Sequence, residues 1–191
     1  TDARIVRTRA ALHDAIIELA TLKPVPSITV SELTRLAGIN RVTFYKHFTT
    51  PAETLGSALA LELDPARERL LQSYTARESS AMDLYISSLD TMLDHIERHR
   101  GLYLLAINTP QDGTVPNLLA DHLTESFLLT LEQRAQRDED LPPIDNHVVA
   151  RFVAHGIVGA IKAWVLNGTT EREPFFRSLA LLAPDWWFPE S

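Results

Sequence analysis

Apolar side chains recur at helical spacing along the whole chain, and no stretch alternates apolar and polar residues as a half-buried strand would. The pattern predicts an all-α protein. A first helix is expected over Ala3 to Leu22, with Ile5, Leu12, Ile16 and Leu19 as its buried stripe. Lys23-Pro24-Val25-Pro26 ends it, because proline cannot continue a helix. Two short helices follow. Thr29 and Glu32 form a capping box for the first, Val30 to Leu36. Gly38 supplies the left-handed turn, and Asn40 caps the second, Arg41 to Phe48. Val30, Leu33, Leu36, Ile39, Phe44 and Phe48 can share one small core. Thr50-Pro51-Ala52-Glu53 opens a fourth helix through Leu55, Leu59 and Leu63, with a kink or restart at Asp64-Pro65. From Ala66 on only helical periodicity is present. Segments are expected from Arg67 to about Arg77, Ser80 to Arg98, Gly101 to Ile107, Val115 to Arg137, Asp145 to Asn167 and Glu173 to about Leu182. Loops carry Pro110 and Gly113, the acidic run Asp138-Glu139-Asp140, and an aromatic tail from Pro184 to Pro189.

Two short helices joined by a glycine-containing turn make the helix-turn-helix unit, whose second helix enters the DNA major groove. The residues left facing away from the small core include Arg41, Val42, Thr43, Tyr45, Lys46 and His47. Thr29, Arg41, Tyr45, Lys46 and His47 suit phosphate contacts. Arg41, Val42, Thr43 and Lys46 suit base edges, with Val42 against a thymine methyl and Arg41 or Lys46 on guanine. The plainer alternative is a helical hairpin with a solvated basic face. The charge distribution fits the first reading. The chain as a whole carries −7, yet residues 1–50 hold seven basic against four acidic side chains. Arg4, Arg7 and Arg9 add basic groups at the start of the first helix, as DNA-backbone contacts or as a solvated helix end.

The stretch from about Arg4 to Leu59 resembles the DNA-binding half of the TetR family of bacterial transcriptional repressors. The resemblance rests on Asp14-Ala15-Ile16-Ile17-Glu18-Leu19, Ile28-Thr29-Val30, Ala37-Gly38-Ile39 and Thr43-Phe44-Tyr45-Lys46-His47-Phe48. Three positions depart from the family's habit. Ala20 stands where Phe is common, and Pro24 lies where Gly is common nearby. Pro51 replaces a lysine that helps hold a phosphate, leaving Thr49 and Thr50 to substitute for it. The resemblance implies a three-helix DNA-binding domain over residues 1–50 and a larger helical ligand-binding and dimerisation domain over 51–191. It implies a homodimeric repressor that binds a palindromic double-stranded DNA operator and is released by a small organic effector. The fourth helix would be the mechanical link. It also implies an internal cavity, for which Tyr85, Leu89, Met92, Leu93, Tyr103, Leu104, Leu119, His122, Phe127, Phe152, His155 and Trp164 are aromatic, apolar or adaptable candidates. For each of them a filled core is the alternative. Gly156, Gly159, Ala160 and Ala163 put small residues together on one helix, which lets another helix approach closely. The resemblance makes that strip a dimer seam, and intrachain packing is the alternative.

Other chemistry is sparse. With no cysteine, disulfide and thiolate chemistry are excluded. No P-loop, HExxH, nucleophile elbow or dinucleotide glycine motif occurs, so the expectation is not an enzyme, with no cofactor and no metal. His95 and His99 share one helix face at zinc-ligand spacing, but the sequence names no third ligand. His122 and His155 lie on largely apolar helices, where a core or pocket role is commoner than catalysis. No apolar run comes near the ~20 residues of a membrane span, and no signal peptide is visible, so a cytoplasmic protein with no membrane partner is expected. The runner-up function is a helical protein–protein interaction module that kept the head and lost DNA binding.

Overall fold

The computed structural model describes residues 3–76, 80–109, 111–137 and 141–187, and the side chains of 74–76 are left aside. Arg77, Pro110, Asp138 to Asp140 and the tail from Phe188 on lie outside the described residues. Among the described residues the chain is helical throughout, without a strand. The helices are α1 (Ala3–Leu22), α2 (Val30–Ala37), α3 (Arg41–Phe44), α4 (Pro51–Ala76), α5 (Ala81–Arg98), α6 (Arg100–Ile107), α7 (Thr114–Ala135), α8 (Asn146–Asn167) and α9 (Glu173–Leu182). Short 3-10 turns at Val25–Ser27 and Asp185–Trp187 complete them.

The chain forms two compact units. The first contains residues up to Glu62 and the segment His99–Leu118. Its centre is Leu12, Ile16, Leu33, Phe44 and Leu55, all fully buried. Helix α1 buries Thr8, His13, Ala15 and Ala20 beside Leu12 and Ile16, while Ile5 is 41% exposed. The stripe therefore starts a turn later than its sequence pattern implied. Leu36 likewise lies outside the small core, at 44% exposed. Helix α6 packs on α1, where Gly101 places its backbone against Thr21. Asp112 is buried and accepts hydrogen bonds from the backbone N–H of Val25 (2.9 Å) and of Thr114 (3.0 Å), tying the α6–α7 link to the turn after α1. A buried carboxylate is tolerable only with such donors.

Two expectations about helix ends are corrected. Helix α3 is a single turn and does not reach Phe48. Beyond Phe44 the backbone tightens, Lys46 N–H donating to Thr43 and His47 N–H to Phe44, each three residues back. Helix α4 is continuous and neither breaks nor restarts at Pro65. Pro65 and Leu61, the residue whose carbonyl loses its partner, are both exposed, so water can satisfy that oxygen. The start of α4 is as expected: Thr50 Oγ1 accepts from Glu53 N–H at 3.1 Å. Glu53 in turn accepts from Thr49, one residue further back than a standard box, at 2.6 Å from its N–H.

The second unit contains Leu63–Arg98 and the residues from Leu119 on. Leu93, Ile96, Leu131, Ala150, Ala154 and Val165 are among its most buried apolar side chains. Arg172 fastens the α8–α9 link to α5 through Asp90 (2.6 Å), Asp94 (2.7 Å) and Glu97 (2.5 Å). Helix α8 is apolar over most of its length. By length and composition it could cross a membrane, with a mean hydropathy of 1.5 over its best window, contrary to the expectation that no run comes near that limit. It also carries Arg151 and Lys162, both exposed, and one face of it is buried in the unit.

Candidate nucleic-acid interface and ligand cavity

The helix-turn-helix is built as its residues dictate. Thr29 Oγ1 accepts from Glu32 N–H at 3.2 Å, and the Glu32 carboxylate accepts from Thr29 N–H at 2.9 Å and from its hydroxyl at 2.7 Å. Lys23 closes on the same carboxylate at 2.6 Å. The lysine, followed by the Thr29 donors, pulls the Glu32 pKa down to about 2. Gly38 ends α2 with φ +67°, a conformation that an L side chain adopts only at a cost. Asn40 Oδ1 then accepts from Thr43 N–H at 2.7 Å and opens α3.

Phe44 and Phe48 anchor this turn inward, and Tyr45 stands edge-on to Phe44 at 5.3 Å. Arg41, Val42, Tyr45 and Lys46 are exposed on one short segment, Val42 at 71% and Tyr45 at 53%. Thr43 and His47 are half-buried beside them. Thr29 is exposed but spends its hydroxyl on the cap. Arg4 and Arg7 are exposed, whereas Arg9 turns inward. The Arg9 guanidinium sits 5.0 Å over the Phe48 ring and donates to Ser57 Oγ at 2.8 Å. The same hydroxyl lies 3.1 Å from His13 Nε2, and His13 Nδ1 is buried without a hydrogen-bond partner among the described residues. Burial, then Arg9, hold His13 below the usual histidine range against a smaller opposing pull from Asp14.

Within the second unit, α4, α5 and α7 enclose a cavity with about 540 Å³ of empty space, part of it open to solvent. Tyr85, Leu89, Met92, His122 and Phe127, five of the expected residues, line it. The sequence reading missed Leu63, Ala66, Arg67, Leu70, Ser88, Leu123, Ser126 and Thr130. The helical repeat of α7 could have supplied Leu123, Ser126 and Thr130, which flank His122 and Phe127 one turn on. A second trough shares Leu70, Tyr85, Phe127 and Thr130 and runs on to Arg134 and Trp187. The Trp187 ring meets Phe127 at 5.4 Å.

The other expected cavity residues lie elsewhere. Leu93 and Leu119 are buried in the second unit without lining either space. Trp164 is buried, donates to the Glu171 carbonyl at 3.2 Å and packs on Phe175. Tyr103 is buried in the first unit, where burial and then Glu62 raise its pKa. Leu104 is half-buried in that unit. Phe152 is 79% exposed, and His155 is exposed with Nδ1 2.9 Å from the Arg151 carbonyl. His99 Nε2 lies 2.9 Å from Glu62 Oε1 in the first unit, and His95 is buried on α5.

One end of the cavity is polar. Arg67 binds Glu125 at 2.6 Å and Asp64 at 2.7 Å, and His122 Nδ1 faces Asp64 at 3.6 Å. Burial and then Arg67 lower the His122 pKa, with Asp64 and Glu125 opposing. Tyr85 is pushed up to about 12 by burial, so its phenol keeps its proton.

Gly156, Gly159 and Ala163 lie on the exposed side of α8, with Ala160 half-buried. A Cβ placed on Gly156 or Gly159 would meet nothing within 4 Å. Their smallness therefore serves no packing among the described residues of the chain. The same helix exposes Val148 and Phe152, and α9 exposes Leu181 and Leu182, each at 81%.

Residues 85–175, which hold most of the cavity's α5 and α7 walls and the exposed α8 face, match the family model described as "Transcriptional regulator C-terminal region". YxbF of Bacillus subtilis strain 168, an uncharacterised HTH-type transcriptional regulator, is 32% identical over 98 residues. That stretch is 48% of this chain and 26% of the relative, so the chain matches about a quarter of that protein's length. The fold is shared with solved structures at low identity. Thermus thermophilus FadR, a TetR family transcriptional repressor in complex with lauroyl-CoA, superposes with a TM-score of 0.67 at 13% identity over 96% of each chain. The fatty acid degradation regulator FadR from Bacillus halodurans gives 0.59 at 12%, over 90% of this chain and 94% of that one. The capped helix-turn-helix and the all-α fold agree with a C-terminal region that matches transcriptional regulators, and the chain shares the fold of TetR-family regulators of known structure.

Proposed function

We propose that this regulator is a repressor that binds a palindromic operator as a homodimer and is released by a small organic effector in the cytoplasm. The observation that carries the DNA part is the presentation of Arg41, Val42, Tyr45 and Lys46 on one exposed segment held by a fully capped turn. Phosphates fix register, and base edges set sequence. Arg41 and Lys46 serve both roles, Val42 and Thr43 serve bases, and Tyr45, His47 and Thr29 serve phosphates. Thr29 does so only by giving up its cap bond.

The homodimer is supported by the open glycine face of α8 together with exposed Val148, Phe152, Leu166, Leu181 and Leu182. A two-fold pair of chains presents two identical readers, which calls for an inverted repeat with half-sites ~34–36 Å apart. The effector role is supported by the cavity beside α4, a helix that supplies residues to both units. An effector acts only if it binds one separation of the two heads better than the other.

The test is selection of bound duplexes from a random DNA library at two salt concentrations. An enriched inverted repeat is expected. Binding that is indifferent to sequence and vanishes with salt refutes the reading and favours an interaction module.

A further inference from the structure

The two spaces of the second unit follow one another along the same three helices. On α7 the first is lined from His122 to Thr130 and the second from Phe127 to Arg134. Helix α5 runs the other way, from Met92 to Tyr85 on the first and from Tyr85 to Ala81 on the second. Leu70 of α4, Tyr85, Phe127 and Thr130 belong to both, so the spaces meet at one level of all three helices. The rise of α7 from His122 to Arg134 amounts to about 18 Å. Spread over that length, empty spaces of about 540 and 460 Å³, both open to solvent in part, leave a narrow channel. Arg67, Ser88, His122 and Ser126 put donors and acceptors together at its first end. Its far end is mainly apolar, with Ala81, Leu84, Leu131 and Trp187. Trp187 is brought there from the turn after α9. The buried Arg134 guanidinium donates to the Trp186 carbonyl at 2.8 Å and to the Trp187 carbonyl at 3.3 Å. These charge-assisted hydrogen bonds hold the turn. The Trp187 ring, 9% exposed, then stands edge-on to Phe127 across the end of the second space.

We propose that the two spaces form one groove for a linear apolar chain, and that Trp187 is the end wall that sets the longest chain the groove accepts. The proposal rests on the reading of the cavity as the effector site. In it the polar head of the ligand lies at the His122 end, and the chain runs along α7 past Phe127 toward the indole. It makes no demand on the charge of the head.

Calorimetric titration of the full chain with primary alcohols from 1-hexanol to 1-tetradecanol tests it. Each buried methylene raises affinity roughly fourfold, so affinity is expected to climb with chain length and to stop climbing where the chain meets the indole. Trp187→Ala removes the wall. The break should move to a longer alcohol, with at least a roughly tenfold gain over the parent beyond the parental break and no change for 1-hexanol. Ala81→Phe fills the far end from α5, so the break should move to a shorter alcohol, again with 1-hexanol unchanged. This second variant adds bulk at a half-buried position and serves as the test if Trp187→Ala, which empties a packed site, does not fold. A break set by the solubility of the alcohols would stay in place in both variants. A break that no folded variant moves shows that the shared residues around Phe127 close the first space off, and it overturns the proposal. No binding by any of the alcohols overturns it as well. Release from the operator is scored separately. A break that moves as expected without release counts against the effector role and leaves the length limit standing. Release whose chain-length profile is the same in all three proteins keeps the effector role and sinks the limit.

Discussion

At the scale of single residues, side chains that cap or bridge were legible from spacing, and side chains that turn inward were not. Thr29, Glu32, Gly38 and Asn40 act within four residues of themselves, so local sequence determines them. Arg9 has its partners at Phe48 and Ser57, far along the chain, and nothing near Arg9 signals that it leaves the basic surface. His13 shares that network and yields a pH prediction. Its folded pKa lies below the ~6.5 of a free histidine. Between those two values the unfolded chain binds more protons than the folded one, so stability rises with pH. The contribution is complete above about 6.5 and is lost as pH falls through the folded value. His122 works in the same direction. Urea midpoints measured from pH 8 to 5 should fall on the acid side, and the fall should be shallower in His13→Gln. An unchanged profile in that variant removes His13 from the account. On the exposed face, Lys46→Ala is expected to weaken operator binding for all sequences and to reduce the salt slope by about 1. Equal affinity and slope remove Lys46 from the interface.

At the scale of elements, helix existence and order followed from periodicity, and the errors fell at helix ends and at Pro65. Helix α3 stops at Phe44 and the backbone tightens beyond it, while Phe44 and Phe48 both stay buried. A sequence shows the i, i+4 spacing of two apolar residues but not how the backbone between them is wound. With so short a helix, the cap matters more than propensity does. Asn40→Ala should cost about 1 kcal/mol of stability by denaturant unfolding. Operator affinity should fall further than stability alone explains, because the proposed readers Arg41 to Thr43 begin at that cap. An affinity unaltered at saturating folded protein would show that the cap serves folding only. Helix α4 makes the opposite point. Pro65 was read as a kink or a restart; the helix does not restart there, and an exposed flank leaves the freed carbonyl to water. Pro65→Ala restores one backbone hydrogen bond and is expected to stabilise the chain by up to about 3 kcal/mol, read as a higher urea midpoint at constant m.

At the scale of the whole molecule, what periodicity leaves open is which helices share a core. The first unit includes His99–Leu118, brought in by Gly101 against Thr21 and by Asp112 on Val25, contacts between residues about eighty apart. The cavity was half legible for the same reason: apolar residues on α5 and α7 announced themselves, but Arg67 and Ser126 look like ordinary polar helix positions until α4 and α7 face each other. Helix α8 carries the remaining question, whether its bare apolar side is covered by a second copy. Small residues on a helix usually mean that something packs there, and within the described residues nothing does at Gly156. That makes Gly156→Leu a clean probe. A Cβ at that position meets nothing within 4 Å among the described residues, so the protomer should fold with an unchanged melting profile apart from the loss of dimer coupling. A close two-fold seam, by contrast, has no room for the leucine side chain. Sedimentation equilibrium is expected to show a dimer for the parent chain and a monomer for the variant. The variant's affinity for an inverted repeat should fall to that for a single half-site, because the second head is no longer tethered. A variant that stays dimeric places the seam elsewhere on the molecule.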